Sequence, residues 1–261
     1  MRVQLAHAAE LLGVAAPADA DQVLGVRGRT LSGPVGDSYW LRVIAVAEGQ
    51  DRGPLWMGPL LAPSVVGLRR PGLHSVCSWG RDGQVVRGEL WERVREPVCS
   101  PHEALTVAPS LGEGWWDGLE ASLTALAGHS TERVPRTQEQ ITAAMRRAYG
   151  PGVPTQVERW VTQHGDLRWT NVTNGEDGGP FLLDWEFWGA APAGTDAATL
   201  YCTSLLVPEV AAQVYERWRE VLESPDGRLA QLCVCLQLRR HRDVGALEGP
   251  LRVLARRLVG E

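Results

Sequence analysis

His164, Asp166 and Asn171 stand in the order His-x-Asp-x-x-x-x-Asn, and a second carboxylate, Asp184, closes the apolar run Pro180-Phe181-Leu182-Leu183. Asn171 follows Asp166 by five positions, and Asp184 follows Asn171 by 13. Residues of these types at this spacing suit phosphoryl transfer. That reaction asks little covalent work of a protein, which must orient a hydroxyl and neutralise charge on the moving phosphate. Asp166 could accept the proton of the hydroxyl. Asn171 and Asp184 could hold Mg²⁺ against nucleotide phosphates, since Mg²⁺ takes oxygen ligands and few protein carboxylates. Alone, His164 to Asn171 would read as a polar turn; the second Asp, in register at a strand end, is what raises the pattern above chance.

The elements around these residues must hold them in place. Val3, Leu5, Ala8, Leu11 and Leu12 give residues 3–14 a short amphipathic helix. From Gln22 to Val46 the pattern turns to β, with Val23, Val26, Leu31, Tyr39, Leu41, Val43 and Ile44 flanking the small-residue stretch Ser32 to Ser38. Gly33, Gly36 and Ser38 in that stretch could lay backbone N–H groups over phosphates, although an ordinary hairpin loop has the same composition. A helical segment is expected over 60–68, then a hairpin of His74 to Trp79 and Gln84 to Val94 about Asp82-Gly83. Pro97 to Pro109 reads as a connection, which divides the chain into a first unit, 1–96, and a second, 97–261. Helices are expected through Trp116 to Leu126, from the capping box Thr137-Gln138-Glu139-Gln140 to Tyr149, over Glu209 to Leu222, over Arg228 to Arg240, and over 250–259.

Bulk properties exclude several classes. At 261 residues, 44% hydrophobic and 22% charged, the chain has the make-up of an ordinary soluble protein with a sizeable core. A net charge of −5 without a basic run gives no case for nucleic acid as a partner. No apolar window approaches a membrane span, and the early charges of the N-terminus do not read as a signal peptide. The five cysteines are odd in number and scattered, as expected of thiols in a reducing cytoplasm. All 26 basic Lys and Arg positions are Arg. With 29 Gly and 17 Pro, this hints at a GC-rich, actinobacterial genome.

The segment His164-Gly-Asp-x-x-x-x-Asn171 with Asp184-Trp185-Glu186 and Gly189-x-x-Pro192-x-Gly194-x-Asp196 resembles the aminoglycoside phosphotransferase family. The resemblance implies an α+β, protein-kinase-like two-lobed fold, with a small β-rich N-lobe and a larger, mainly helical C-lobe and a nucleotide bound between them. It implies a Mg²⁺-dependent enzyme using ATP or GTP to phosphorylate a small-molecule acceptor, an antibiotic or a metabolite. Asp166 takes the catalytic-base position, Asn171 and Asp184 the metal positions. His164 would hold the loop by hydrogen bonds, and Asp196 would fix it by accepting them from the backbone.

One departure is evident. The family's third-strand Lys is missing, so Arg42 is the candidate phosphate contact, with Arg52 and Arg69 as rivals, and no helix Glu can be assigned to pair with it. Glu186 could share the metal through water or be solvated. Trp169 and Trp188 could form an apolar wall for a ring-bearing substrate or fill core. Arg239, Arg240, Arg242, Arg252, Arg256 and Arg257 point to a neutral or anionic acceptor, such as a nucleoside or a macrolide. A pseudokinase-like sensor that has lost phosphate chemistry with its Lys, and a kinase of a primary metabolite, are the competing readings.

Overall fold

A computed structural model describes residues 1–25, 28–175, 179–239 and 242–260; Val26 and Arg240, assigned above to a strand and a helix, lie outside them. The chain divides into two compact units, one of Met1–Ser64 with Arg70–Arg95, the other of Val65–Arg69 with Glu96–Glu261.

The first unit is a five-stranded sheet with a helix on each face. It comprises α1 (Arg2–Leu11), β1 (Val23–Leu24), β2 (Thr30–Val35), β3 (Tyr39–Ala47), α2 (Pro54–Leu61), β4 (Leu73–Arg81) and β5 (Gln84–Glu92). The strand order is β1-β2-β3-β5-β4, antiparallel throughout. Alternation along β3 decides which helix covers which face. Leu41 and Val43 pack with Leu5, Ala8 and Ala9 of α1, whereas Ile44 and Val46 pack with Trp56 of α2. Gly88 in β5 is dictated by this packing: a Cβ there would lie 2.7 Å from that of Ala8 and 2.9 Å from Cys77 Sγ. The helix expected over 60–68 instead begins at Pro54, and a 3₁₀ turn follows at Ala62–Ser64. A proline at the first helical turn starts a helix without losing a needed N–H, and that signal outweighs the apolar run further on.

The second unit is mainly helical: α3 (Glu113–Ala127), α4 (Gln138–Tyr149), the antiparallel pair β6 (Trp160–Gln163) and β7 (Gly189–Pro192), α5 (Thr195–Thr203), α6 (Pro208–Arg217), α7 (Arg219–Glu223), α8 (Pro225–Leu238) and α9 (Glu248–Val259). The capping box that opens α4 is present in both its bonds. The helix expected over 209–222 is broken at Trp218 into α6 and α7. The core joins Ala197, Ala198 and Cys202 of α5 with Leu229, Ala230 and Cys235 of α8 and Leu251 and Leu254 of α9. Buried Asp226 accepts the backbone N–H groups of Glu158 and Arg159, tying α8 to the approach to β6. Among the described residues, no helix is long and apolar enough to cross a membrane.

Candidate active site

The loop from β6 to Asn171 is fixed mainly through its backbone. The N–H groups of His164 and Gly165 donate to Asp196 Oδ2 and Oδ1 at 2.7 and 2.9 Å, and the Asp196 N–H donates to Gln163 Oε1 at 2.9 Å. Asp196 sits in the first turn of α5, where a carboxylate is favoured. Burial pushes its pKa up to about 7, against the lowering effect of the two N–H donors. Gly165 has φ +80°, and a Cβ there would lie 2.4 Å from the carbonyl oxygen of Phe187. Glycine is therefore required where this loop packs on the segment after Asp184.

His164 is fully buried, and its ring packs edge-on against Trp185 at 4.9 Å. Neither ring nitrogen makes a hydrogen bond of good geometry. The backbone N–H of His164 ties this residue to Asp196. Burial lowers the imidazole pKa to about 4; the nearby Asp184 carboxylate and Leu183 carbonyl raise it, but by less. The ring is neutral at pH 7.

A 3₁₀ turn over Trp169–Asn171 folds the loop back so that Asn171 Nδ2 donates to the carbonyl of Asp166 at 2.9 Å. The Leu183 N–H donates to the Asn171 carbonyl at 2.8 Å, and Val172 bridges Leu182, so the segment carrying Asp184 runs antiparallel beside Asn171. The three predicted side chains are thereby gathered on one pair of adjoining segments. Asp184 is exposed and has φ +61°, a left-handed conformation that Asp tolerates better than most residues. Asp166 is largely buried, and desolvation raises its pKa to about 6; Arg168 lowers it, while the charges of Asp184 and Glu103 raise it. Arg168 Nε lies 2.8 Å from Asp166 Oδ1, off the hydrogen-bond axis, and its NH1 lies 2.7 Å from Glu103 Oε1.

The oxygen donors fit a magnesium ion. Among the described residues, no three His, Cys, Asp or Glu side chains form a metal cluster. The site instead offers one carboxylate and an amide whose NH₂ is already committed to Asp166, which turns its oxygen toward other partners. Mg²⁺ commonly binds through one or two protein oxygens, with waters and substrate phosphates filling its octahedron. The mutual repulsion of Asp166 and Asp184 is the field a divalent cation would relieve.

In the first unit, Gly36 (φ +55°), Asp37 and Ser38 form the exposed turn between β2 and β3. Their carbonyls are tied to the end of β5: Arg93 donates to Gly36 and Ser38, and Arg95 to Asp37. Gly33 is not in that turn. It lies within β2 opposite Leu41, where a Cβ would meet Pro17 at 2.6 Å, so its smallness serves packing. Arg42 points to the α2 face of β3 beside Glu89 of β5, at 3.7 Å. Its rivals are placed otherwise: Arg52 is in an exposed turn, and Arg69 binds Glu96 and the carbonyl of Gly179 and stacks on Phe181 in the second unit.

The family model of the phosphotransferase enzyme family APH matches residues 80–231, more than half of the chain. The chain belongs to this family of phosphotransferases. No curated protein matches the sequence. Among solved structures, it is similar to a thermostable mutant of aminoglycoside phosphotransferase APH(4)-Ia in a ternary complex with AMP-PNP and hygromycin B, at 13% identity and TM-score 0.64 over 98% of both chains. It is also similar to the GDP and kanamycin complex of APH(2")-IIia, at 16% identity and TM-score 0.56 over 88% of this chain and 90% of that one. A third likeness is amicoumacin kinase hAmiN with AMP-PNP, Ca²⁺ and Ami, at 12% identity and TM-score 0.51 over 100% of this chain and 96% of that one. These likenesses carry the α+β kinase-like fold expected from the sequence.

Within this APH-family phosphotransferase, the tryptophans are core rather than a substrate wall. Trp169 is fully buried, donates Nε1–H to Ser204 Oγ and stacks on Trp115 at 6.1 Å; Trp188 is 2% exposed and packs on Trp185. Neither presents a face to a ligand. Glu186, 6% exposed, is not a solvated side chain, and its carbonyl accepts from Arg133, which also donates to the carbonyl of Trp188. Arg252 pairs with Glu248, and Arg256 and Arg257 are exposed on the last turn of α9, so these three read as surface residues.

Sequence reasoning missed Arg168, Glu103 and Arg133. Arg168 was in plain view two residues after Asp166. Glu103 and Arg133 lie in irregular segments, where no periodicity says which way a side chain points.

Proposed function

We propose that this protein transfers the γ-phosphate of ATP or GTP, as its Mg²⁺ complex, to a hydroxyl of a small molecule, an antibiotic being the favoured acceptor. The observation that carries the reading is the meeting of Asp166, Asn171 and Asp184 on two adjoining segments held by the Leu183–Asn171 hydrogen bond. The structural relatives extend it, since their complexes contain AMP-PNP or GDP together with hygromycin B or kanamycin.

Asp166 acts as the base. It orients the acceptor hydroxyl and takes its proton, and a carboxyl with a pKa of about 6 is a better match to that task near pH 7 than an ordinary Asp. Arg168 holds this carboxylate in the orientation needed. The Asn171 amide oxygen and the Asp184 carboxylate are the protein ligands for Mg²⁺, which when bound neutralises phosphate charge. His164 stays neutral and buries the hinge of the loop. In the first unit, Arg42 offers a cation to phosphate in place of the absent Lys. A guanidinium stays charged under all these conditions and can meet two phosphate oxygens at once.

Thermal unfolding with ATP and with GTP, each with and without Mg²⁺, tests the reading. A ligand at about 100 times its Kd stabilises by roughly 2.7 kcal/mol, which should raise Tm by about 5 °C or more in a chain this long. A shift that needs Mg²⁺ and disappears in Asp184→Ala is the expected result and identifies the donor. No shift with either nucleotide would favour a binding protein that has lost phosphate chemistry with its Lys. Once the donor is known, a panel of antibiotic and sugar or amino-alcohol acceptors separates the antibiotic reading from that of a primary-metabolite kinase.

A further inference from the structure

Glu89 is fully buried in the middle of β5, with a cation on either side. Its Oε1 accepts from Nε of Arg87 at 2.7 Å and also from NH2 of that residue. Its Oε2 accepts from Trp91 Nε1 at 2.9 Å and faces Arg42 NH1 at 3.7 Å. The register explains the meeting. Arg42 pairs directly with Glu89 across β3 and β5, and Ile44 pairs with Arg87, so all four side chains lie on the α2 face. Arg87 is stacked over the ring of Trp56 in α2, at 4.2 Å. The result is a row running from Trp56 through Arg87 and Glu89 to Arg42.

Exposure along this row is graded. The side chains of Arg87 and Glu89 are 1% and 0% exposed, and that of Arg42 is 17% exposed. A carboxylate serving only to neutralise Arg87 would give that guanidinium both oxygens; here the second oxygen is turned to Trp91 and Arg42. Burying an ionised carboxylate costs several kcal/mol unless cations and donors surround it, so its position is strongly determined. The α2 helix, Pro54-Leu-Trp-Met-Gly-Pro-Leu-Leu61, contains no acidic residue. In protein kinases a helix Glu holds the strand cation that meets the phosphates. On this face of the sheet, a carboxylate beside the strand cation comes from the neighbouring strand.

We propose that Glu89 is the positioning residue for Arg42, holding its guanidinium in the direction from which it meets a nucleotide phosphate. This rests on the kinase reading above. Arg87 and Trp91 orient Glu89 in turn, so the cation is carried by the sheet rather than by a helix that must first be brought into place.

The test is a double-mutant cycle on the Kd of Mg-ATP and Mg-GTP, measured by titration calorimetry on the whole chain, with Asp184→Asn as reference. Glu89→Gln and Arg42→Gln should each weaken binding about tenfold, and the double variant should be no weaker than the worse single one. Arg42→Lys should keep most of the affinity when Glu89 is present and lose it in the Glu89→Gln background. A purely structural Glu89 would lower affinity by the same factor with or without Arg42, and that result overturns the proposal. If Glu89→Gln does not fold, Glu89→Gln combined with Arg87→Leu removes the buried carboxylate with its neighbouring cation, and the same loss of affinity is expected. Wild type that binds and Asp184→Asn that does not, with Glu89→Gln unchanged, would overturn this proposal alone. Wild type that binds neither nucleotide would overturn it together with the kinase reading.

Discussion

Arg168 stands between two carboxylates, its Nε 2.8 Å from Asp166 Oδ1 and its NH1 2.7 Å from Glu103 Oε1. All three side chains are largely buried, at 6, 13 and 17% exposure. One guanidinium thus restrains the proposed base and compensates part of the negative charge around it. Removing one partner of a buried ion pair typically costs about 3–5 kcal/mol.

Arg168→Met should therefore be strongly destabilised at neutral pH. Arg168 lowers the pKa that burial raises at Asp166, so without the guanidinium Asp166 would hold its proton to still higher pH in the folded state. Folded-state stability would then recover as pH falls and Asp166 becomes neutral. Measured as the Tm gap between wild type and variant, the deficit should shrink from pH 8 to pH 5. A gap independent of pH would mean that Arg168 contributes packing alone.

Asp166→Asn should abolish phosphoryl transfer while leaving Mg-nucleotide binding within a few fold. Losing a positioned general base costs on the order of 10²–10⁴ in rate. The variant also reports on the pKa. Asp166 is raised from 3.8 to about 6 by burial, so the folded protein binds more protons than the unfolded chain between those values. The charged form lowers stability as pH rises through 6, and the effect is absent below the unfolded value. Relative to wild type, Asp166→Asn should gain Tm from pH 4 to pH 8, and a relative loss over that range would refute the raised pKa.

The layout of the candidate site in the second unit was legible in the sequence because it lies in short segments whose spacing is set by the local chain. The His164–Asn171 loop and the strand end at Asp184 are joined by neighbouring backbone hydrogen bonds, so order along the chain stands in for order in space. The first unit was less legible. Glu89 meets Arg42 through a strand register that spans 47 residues, and no one-dimensional pattern shows that pairing. The small-residue stretch misled for a related reason: Gly33 is needed by Pro17 behind the sheet, not by the turn. Trp169 and Trp188 lie beside the proposed catalytic and metal positions in sequence, but their side chains turn into the core.

Gly165→Ala tests the packing of the His164–Asn171 loop on the segment after Asp184. The new Cβ would fall 2.4 Å from the Phe187 carbonyl oxygen at a backbone φ of +80°. Neither can relax without moving the loop, so transfer should fall by at least tenfold and Tm by several degrees. A variant with wild-type activity would show that the two segments need not be held this closely.

Asp184 presents a last choice of substitution, because it carries a left-handed φ of +61° as well as the proposed metal-binding charge. Alanine removes the carboxylate and also puts a residue ill suited to that conformation in its place, with a strain cost on the order of 1 kcal/mol. Asparagine tolerates the same backbone and removes only the charge. Asp184→Asn should thus keep a higher Tm in the absence of ligand than Asp184→Ala, since only alanine adds the backbone strain. Both should lose the Mg²⁺-dependent part of nucleotide stabilisation. If Asp184→Asn kept that part in full, the carboxylate would not be a metal ligand; if the two variants had equal Tm without ligand, the left-handed backbone would carry no strain.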